Sequence, residues 1–244
     1  MTGKDYPDWG GYPTSAQSYP LKDLAEAVVR LGSPVIYDRS GAVALLESFE
    51  FGLGHCELSL TGGGSLPALD NTHWNTNGFS ALLAAGPLDG DGSYLAISLP
   101  VPPPGLWGLS ARFTVPLASG RIMFGIMLFD PPGYWTGAIH YVADLGKWYY
   151  KDLAGGVVLL LDGWTPPLSE YLFHFLKLVI DPITHKYVRL VIDDTVIDMS
   201  GLDLYYAGGI AYSYLQVSVG LLRSWAAVSH TNIDDVILTY NESD

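Results

Sequence analysis

The chain has a single cysteine, Cys56, in 244 residues. No disulfide can form within it, so a disulfide-stapled secreted scaffold and a structural zinc site built from several cysteines are both excluded. Basic residues are also scarce: 12 Lys and Arg stand against 25 Asp and Glu, a formal net charge of −13. That field repels a phosphate backbone and an anionic membrane surface, so neither nucleic acid nor membrane is an expected partner. No apolar run approaches the ~18 residues that a spanning helix needs. The opening MTGKDYPDWGGYP has neither a basic n-region nor an apolar h-region. The expectation is synthesis in a host cytoplasm without a signal peptide.

What the chain does have is apolar and aromatic. Hydrophobic residues make up 49% and charged residues 15%, with 16 Tyr, 8 Phe and 7 Trp. This is too apolar for disorder. The 28 Gly and 16 Pro are scattered along the whole length, which suits many strands joined by many turns. A sandwich of ~250 residues can form one unit with a sizeable core. Cys56 lies in the run His55-Cys56-Glu57-Leu58 and reads as a buried core thiol.

Two N-terminal features stand apart. Residues 1–19 are non-periodic and read as an extended arm, whose Trp9, Tyr12 and Tyr19 are expected to pack on the chain's own sandwich or on a neighbouring subunit. Residues 20–31 place Leu21, Leu24, Ala25, Val28 and Val29 at helical spacing, with Ser18 as cap and Gly32 and Pro34 as stop. The expected division is therefore an arm and short helix over 1–34 and a sandwich over 35–244. From residue 35 onward, short runs rich in β-branched and aromatic residues alternate with turn clusters such as Asp89-Gly90-Asp91-Gly92. About fourteen strands result, more than an immunoglobulin sandwich holds and suited to a two-sheet jelly roll.

Four segments resemble the concanavalin A-like jelly-roll sandwiches of lectins, glucanases and carbohydrate-binding modules. They are Ser48-Phe49-Glu50-Phe51-Gly52-Leu53, like that group's "FE-x-G-L" first strand; Asn77-Gly78-Phe79-Ser80-Ala81-Leu82-Leu83; Phe175 to Asp181 followed by His185 to Leu190; and Asn232-Ile233-Asp234-Asp235-Val236-Ile237-Leu238, like the final "IDDV" strand. The resemblance spans roughly 42–240 and implies an all-β, two-sheet antiparallel sandwich. It also implies a structural calcium ion, for which Glu50, Asn77 and Asp234 match by motif position. The tryptophan usual after the first motif is absent, and His55-Cys56 occupies its region. Asp8-Trp9, the segment Arg30 to Pro34 and Tyr37-Asp38-Arg39-Ser40-Gly41 further resemble the start of uncharacterised virion-associated proteins of tailed phages. That likeness implies a structural protein on a particle surface, assembling with itself and with other virion proteins.

Catalytic signatures are missing. No E-x-D-x-E strand supplies the paired carboxylates of a retaining glucanase. No G-x-S-x-G, Walker A or dinucleotide fingerprint occurs. The six histidines lack zinc-ligand spacing. Sugar or partner contact is expected instead of catalysis, with Tyr134, Trp135, Trp107 and Trp164 as candidate contact residues because sugar C–H faces and partner surfaces both pack on rings. The expectation is thus a non-enzymatic virion structural or decoration protein, with a carbohydrate-binding lectin-like module as the alternative.

Overall fold

The computed structural model describes residues 41–75, 78–115, 120–167, 169–223 and 229–242. Sixteen strands follow one another: β1 (Ala42–Glu47), β2 (Glu57–Thr61), β3 (Ala68–Asp70), β4 (Ser80–Ala85), β5 (Gly92–Leu99), β6 (Trp107–Thr114), β7 (Arg121–Asp130) and β8 (Gly133–Val142), then β9 (Lys147–Lys151), β10 (Val157–Leu161), β11 (Phe173–Asp181), β12 (Lys186–Ile192), β13 (Thr195–Asp198), β14 (Tyr205–Gly208), β15 (Tyr214–Leu222) and β16 (Ser229–Tyr240). All strand pairings are antiparallel, as expected. One feature of the expected fold must be corrected: among the described residues there is no helix. The segment 20–31 on which a helix was placed, and the whole of the expected 1–34 unit, lie outside them.

The strands form two eight-stranded sheets. The first runs β13-β12-β11-β6-β16-β4-β3, with β1 also paired to β16; the second runs β10-β9-β8-β7-β15-β5-β2, with β14 also paired to β8. The inward residues of both sheets make one core, including Leu109, Phe113, Leu176 and Leu178 from the first and Phe124, Ile126, Tyr141, Trp148 and Val217 from the second. Period-two alternation in each strand sends these side chains to one face, and each fully buried one contributes about 1.5–3 kcal/mol of transfer free energy.

One expected strand is a turn. The "FE-x-G-L" motif lies in the connection between β1 and β2, where Phe49 has φ 60° and is fully buried while Phe51 is 93% exposed. Strand alternation would put both on one face. The Phe49 amide donates to Glu47 Oε1 at 2.5 Å and the Gly52 amide to the Phe49 carbonyl at 3.1 Å, which folds the chain over before a strand can continue.

The outer faces of the two sheets differ. On the first sheet Phe175, Lys177 and Val179 alternate with core residues yet are themselves buried. Lys177 Nζ meets Glu242 Oε1 at 2.8 Å, and Arg189 reaches Oε2 of the same carboxylate at 3.4 Å. The pair passes over Gly108, where a Cβ would sit 2.8 Å from both Lys177 Cε and Glu242 Oε1. On the second sheet the outward residues are mostly half-buried.

Candidate functional site

The register of the second sheet aligns outward side chains from separate strands into three rows. The middle row is Glu57 (β2), Ala96 (β5), Ser218 (β15), Gly125 (β7) and Ala138 (β8). Apart from Glu57 at its end, it is made of the smallest side chains. One flanking row is Ser59, Tyr94, Gly220, Met123, His140 and Tyr149. The other is Ser98, Gln216, Met127, Thr136 and Tyr205. A floor of small residues between rows of larger ones makes a trough that crosses five strands, about 19 Å at ~4.8 Å per strand. Tyr94 leans over Gly220, where a Cβ would lie 2.5 Å from the ring. Only glycine lets that ring settle onto the sheet.

The polar groups of the trough are arranged for orientation. At one end Ser98 Oγ donates to Glu57 Oε1 at 2.7 Å and Gln216 Nε2 to Glu57 Oε2 at 3.2 Å. At the other, Lys151 Nζ lies 3.7 Å from the centre of the Tyr205 ring, a cation–π contact. Between them, the buried His140 Nδ1 and Thr136 Oγ1 have no hydrogen-bond partner among the described residues. Such buried polar atoms cost free energy until something bonds them. From beneath, Tyr187 of the first sheet accepts from the Ala138 amide at 2.9 Å and donates to the Lys151 carbonyl at 2.8 Å, which ties the floor to the opposite sheet. A cleft of about 540 Å³ adjoins Tyr149 at the trough's side, with Arg121, Asp89 and Val142 in its lining.

Burial pushes the His140 imidazolium down to a pKa of about 4, with the charges of Arg121 and Lys151 adding to the effect. The ring is therefore neutral in the folded protein at pH 7. In the unfolded chain it titrates near 6.5, so the unfolded state takes up the extra proton first as pH falls. The resulting stabilisation is full above about pH 6.5 and is lost progressively down to about pH 4, by up to about 3 kcal/mol. Urea unfolding across that window should show this slope in the wild type, and His140→Leu should flatten it.

The four expected contact residues lie in different settings. Pro131 and Pro132 are the two-residue turn between β7 and β8, so Tyr134 and Trp135 lie on a strand and point to opposite faces. Tyr134 is outward and stacks at 5.3 Å on Phe129. Trp135 packs against the core and stacks at 3.8 Å on His185. Trp107 is 2% exposed and donates Nε1–H to the Pro103 carbonyl at 3.2 Å, which leaves no ring face for a ligand. Trp164 belongs to an aromatic cluster with Tyr141 and Trp148, at 4.8 and 5.4 Å. The arm residues Trp9, Tyr12 and Tyr19 lie outside the described residues.

Of the calcium candidates, Asn77 also lies outside them, Glu50 is exposed in the β1–β2 turn, and Asp234 is fully buried. The Asp234 carboxylate accepts the Asn75 and Asp235 amides at 2.9 and 2.8 Å. A different donor set does come together: Glu47, His55 and Cys56, with ligand atoms within 4.8 Å of one another. It suits calcium poorly, because calcium takes six to eight oxygens and this set offers a sulfur and a nitrogen. Cys56 is half-buried rather than deep in the core, and burial with the Glu47 charge pushes its thiol up to about 11.

No family model matches the chain, and no curated protein does. Solved structures do. A protein described as a sialidase aligns with TM-score 0.51 and 11% identity over 82% of this chain and 19% of its own. A carbohydrate esterase from the Shiga toxin-encoding bacteriophage phi24B aligns with TM-score 0.51 and 13% identity over 82% of this chain and 99% of its own. The likeness is one of fold. This chain thus spans about a fifth of the sialidase's length. A structure described under carbohydrate-binding modules of the β-sandwich superfamily aligns with TM-score 0.48 and 11% identity over 82% of this chain and 62% of its own.

Proposed function

We propose that the chain is a non-catalytic carbohydrate-binding sandwich whose site is the outer face of the second sheet. The observation that carries this reading is the trough: a floor of Ala96, Ser218, Gly125 and Ala138 flanked by Tyr94, Tyr149 and Tyr205. Sugar rings present apolar C–H faces that stack on tyrosine and hydroxyl edges that bond to Gln216. Two solved structures that align with TM-score 0.51 are described as a sialidase and a carbohydrate esterase, which accords with the reading. The absence of catalysis is part of the proposal. Glu57 is the one carboxylate in the three rows, whereas glycoside cleavage uses a pair about 5–9.5 Å apart.

The test is a panel of immobilised polysaccharides probed with wild-type protein and with Ala138→Trp, which fills the floor at a half-buried outward position. Retention of the wild type on at least one glycan, at least tenfold stronger than that of the variant, is expected. Equal retention of both would refute the site; retention of neither on any glycan would refute the function.

A second reading, as a structural component of a virus particle acting through self-assembly, draws support from the edge strand β10. Its Val157, Val158 and Leu159 are 45%, 38% and 47% exposed, on both faces of the strand. Edge strands of this kind pair with other chains unless they are covered. A strictly monomeric protein at high concentration would count against this reading and leave the carbohydrate site untouched.

A further inference from the structure

We propose that Glu47, His55 and Cys56 bind one zinc-class divalent ion that clamps the crossover between the two sheets. Glu47 ends β1, which pairs with β16 in the first sheet; Cys56 precedes β2, which pairs with β5 in the second. The connection between them is the turn segment that carries the buried Phe49. An ion held by all three residues would tie the last residue of one sheet's strand to the first turn of the other's.

The chemistry of the donors selects the ion. One thiolate, one imidazole and one carboxylate are the ligand types of zinc and its tetrahedral neighbours, not of calcium or magnesium. At the usual zinc–ligand lengths the three donor atoms of a tetrahedral site sit about 3.5 Å apart. The observed donor atoms all lie within 4.8 Å of one another, so only small side-chain adjustments separate the two arrangements. His55 Nε2 and Glu47 Oε2 already meet in a short contact, and the ion would replace it.

The second oxygen of Glu47 is fixed independently. Oε1 accepts the Phe49 amide at 2.5 Å, and the Glu47 side chain is 6% exposed. A ligand carboxylate with one oxygen held by the backbone and the other directed at the cluster is oriented in the way that second-shell bonds orient metal ligands. His55, half exposed, leaves a way in from solvent. Three protein donors leave a fourth position for water. The site is separate from the trough and does not depend on the carbohydrate reading.

The full chain, stripped with chelator and dialysed, should take up one Zn²⁺ per molecule in a calorimetric titration, and millimolar Ca²⁺ should not displace it. Co²⁺ in place of Zn²⁺ should give the near-ultraviolet thiolate-to-cobalt absorption that only a cysteine ligand produces. Cys56→Ser and His55→Ala should each weaken Zn²⁺ binding at least tenfold, and Cys56→Ser should abolish the cobalt band. The cobalt spectrum of the wild type needs no variant to fold. A wild-type spectrum lacking the thiolate band, Zn²⁺ affinity unchanged in Cys56→Ser, or displacement by Ca²⁺ would each overturn the site.

Discussion

Glu242→Ala is expected to be a strongly damaging substitution, costing about 3–5 kcal/mol because it removes a buried carboxylate that Lys177 and Arg189 share. The Glu242 carboxylate is fully buried, and so, to 1%, is the ammonium of Lys177 at 2.8 Å from it. Arg189 shares the same carboxylate at 3.4 Å. Removing the anion takes an ion-pair partner from both cations in a low-dielectric site, and the Thr239 hydroxyl loses the carboxylate while keeping the Gly108 carbonyl as an acceptor. For a chain of this length that loss lowers the melting temperature by about 10 °C. Thermal unfolding of the purified variant checks it. A second variant separates charge from packing: Lys177→Met combined with Glu242→Leu should recover much of the loss, since well-packed apolar replacements of a buried pair are often neutral or stabilising. If Glu242→Ala melts within 2 °C of the wild type, the pair is not buried as described.

In the trough, Tyr94→Ala and Tyr149→Ala are each expected to weaken glycan binding roughly 30-fold, about 2 kcal/mol, while leaving the fold intact. Both rings stand on the outer face in the same row, Tyr94 over Gly220 and Tyr149 beside His140. Both are half-buried, so their removal strips ligand-facing area without opening the core. The measurement is calorimetric titration with the best glycan from the panel. Trp135→Phe is the matched control. Its ring packs inward against the core and His185, and affinity should be unchanged. Loss of binding in the control with retention in both tyrosine variants would move the site off the outer face of the second sheet.

The sandwich was legible in the sequence because alternation is a local property. Segments such as 121–130 and 173–181 show buried and outward positions without knowledge of their neighbours. β3 and β14 escaped because strands of three and four residues carry almost no periodic signal. The Phe49 segment misled for a different reason. Its composition suits a strand, but a side-chain bond from Glu47 to the Phe49 amide competes with the ladder and wins.

The site was hardly legible at all. Tyr134 and Trp135 are adjacent in the chain and were both expected as contact residues; on a strand, adjacency guarantees opposite faces. Tyr94, His140, Tyr149 and Tyr205 lie far apart in sequence and meet only through the register of β5, β15, β7, β8, β9 and β14. Register is set by long-range pairing, which one sequence does not display. A signal was nonetheless present: Tyr94, Ala96 and Ser98, and Met123, Gly125 and Met127, alternate with core residues. A small residue sits at the middle of each triplet, which is how a groove across strands is written.

The most direct test is a backbone chemical-shift map of the labelled protein as the best-bound oligosaccharide is added. Shifts clustered on the outward positions of β5, β7, β8, β9 and β15, centred on Ser218, Gly125 and Ala138, are predicted. Shifts confined to the strand-connecting loops or to the first sheet, with the second sheet silent, would contradict the assignment of the trough.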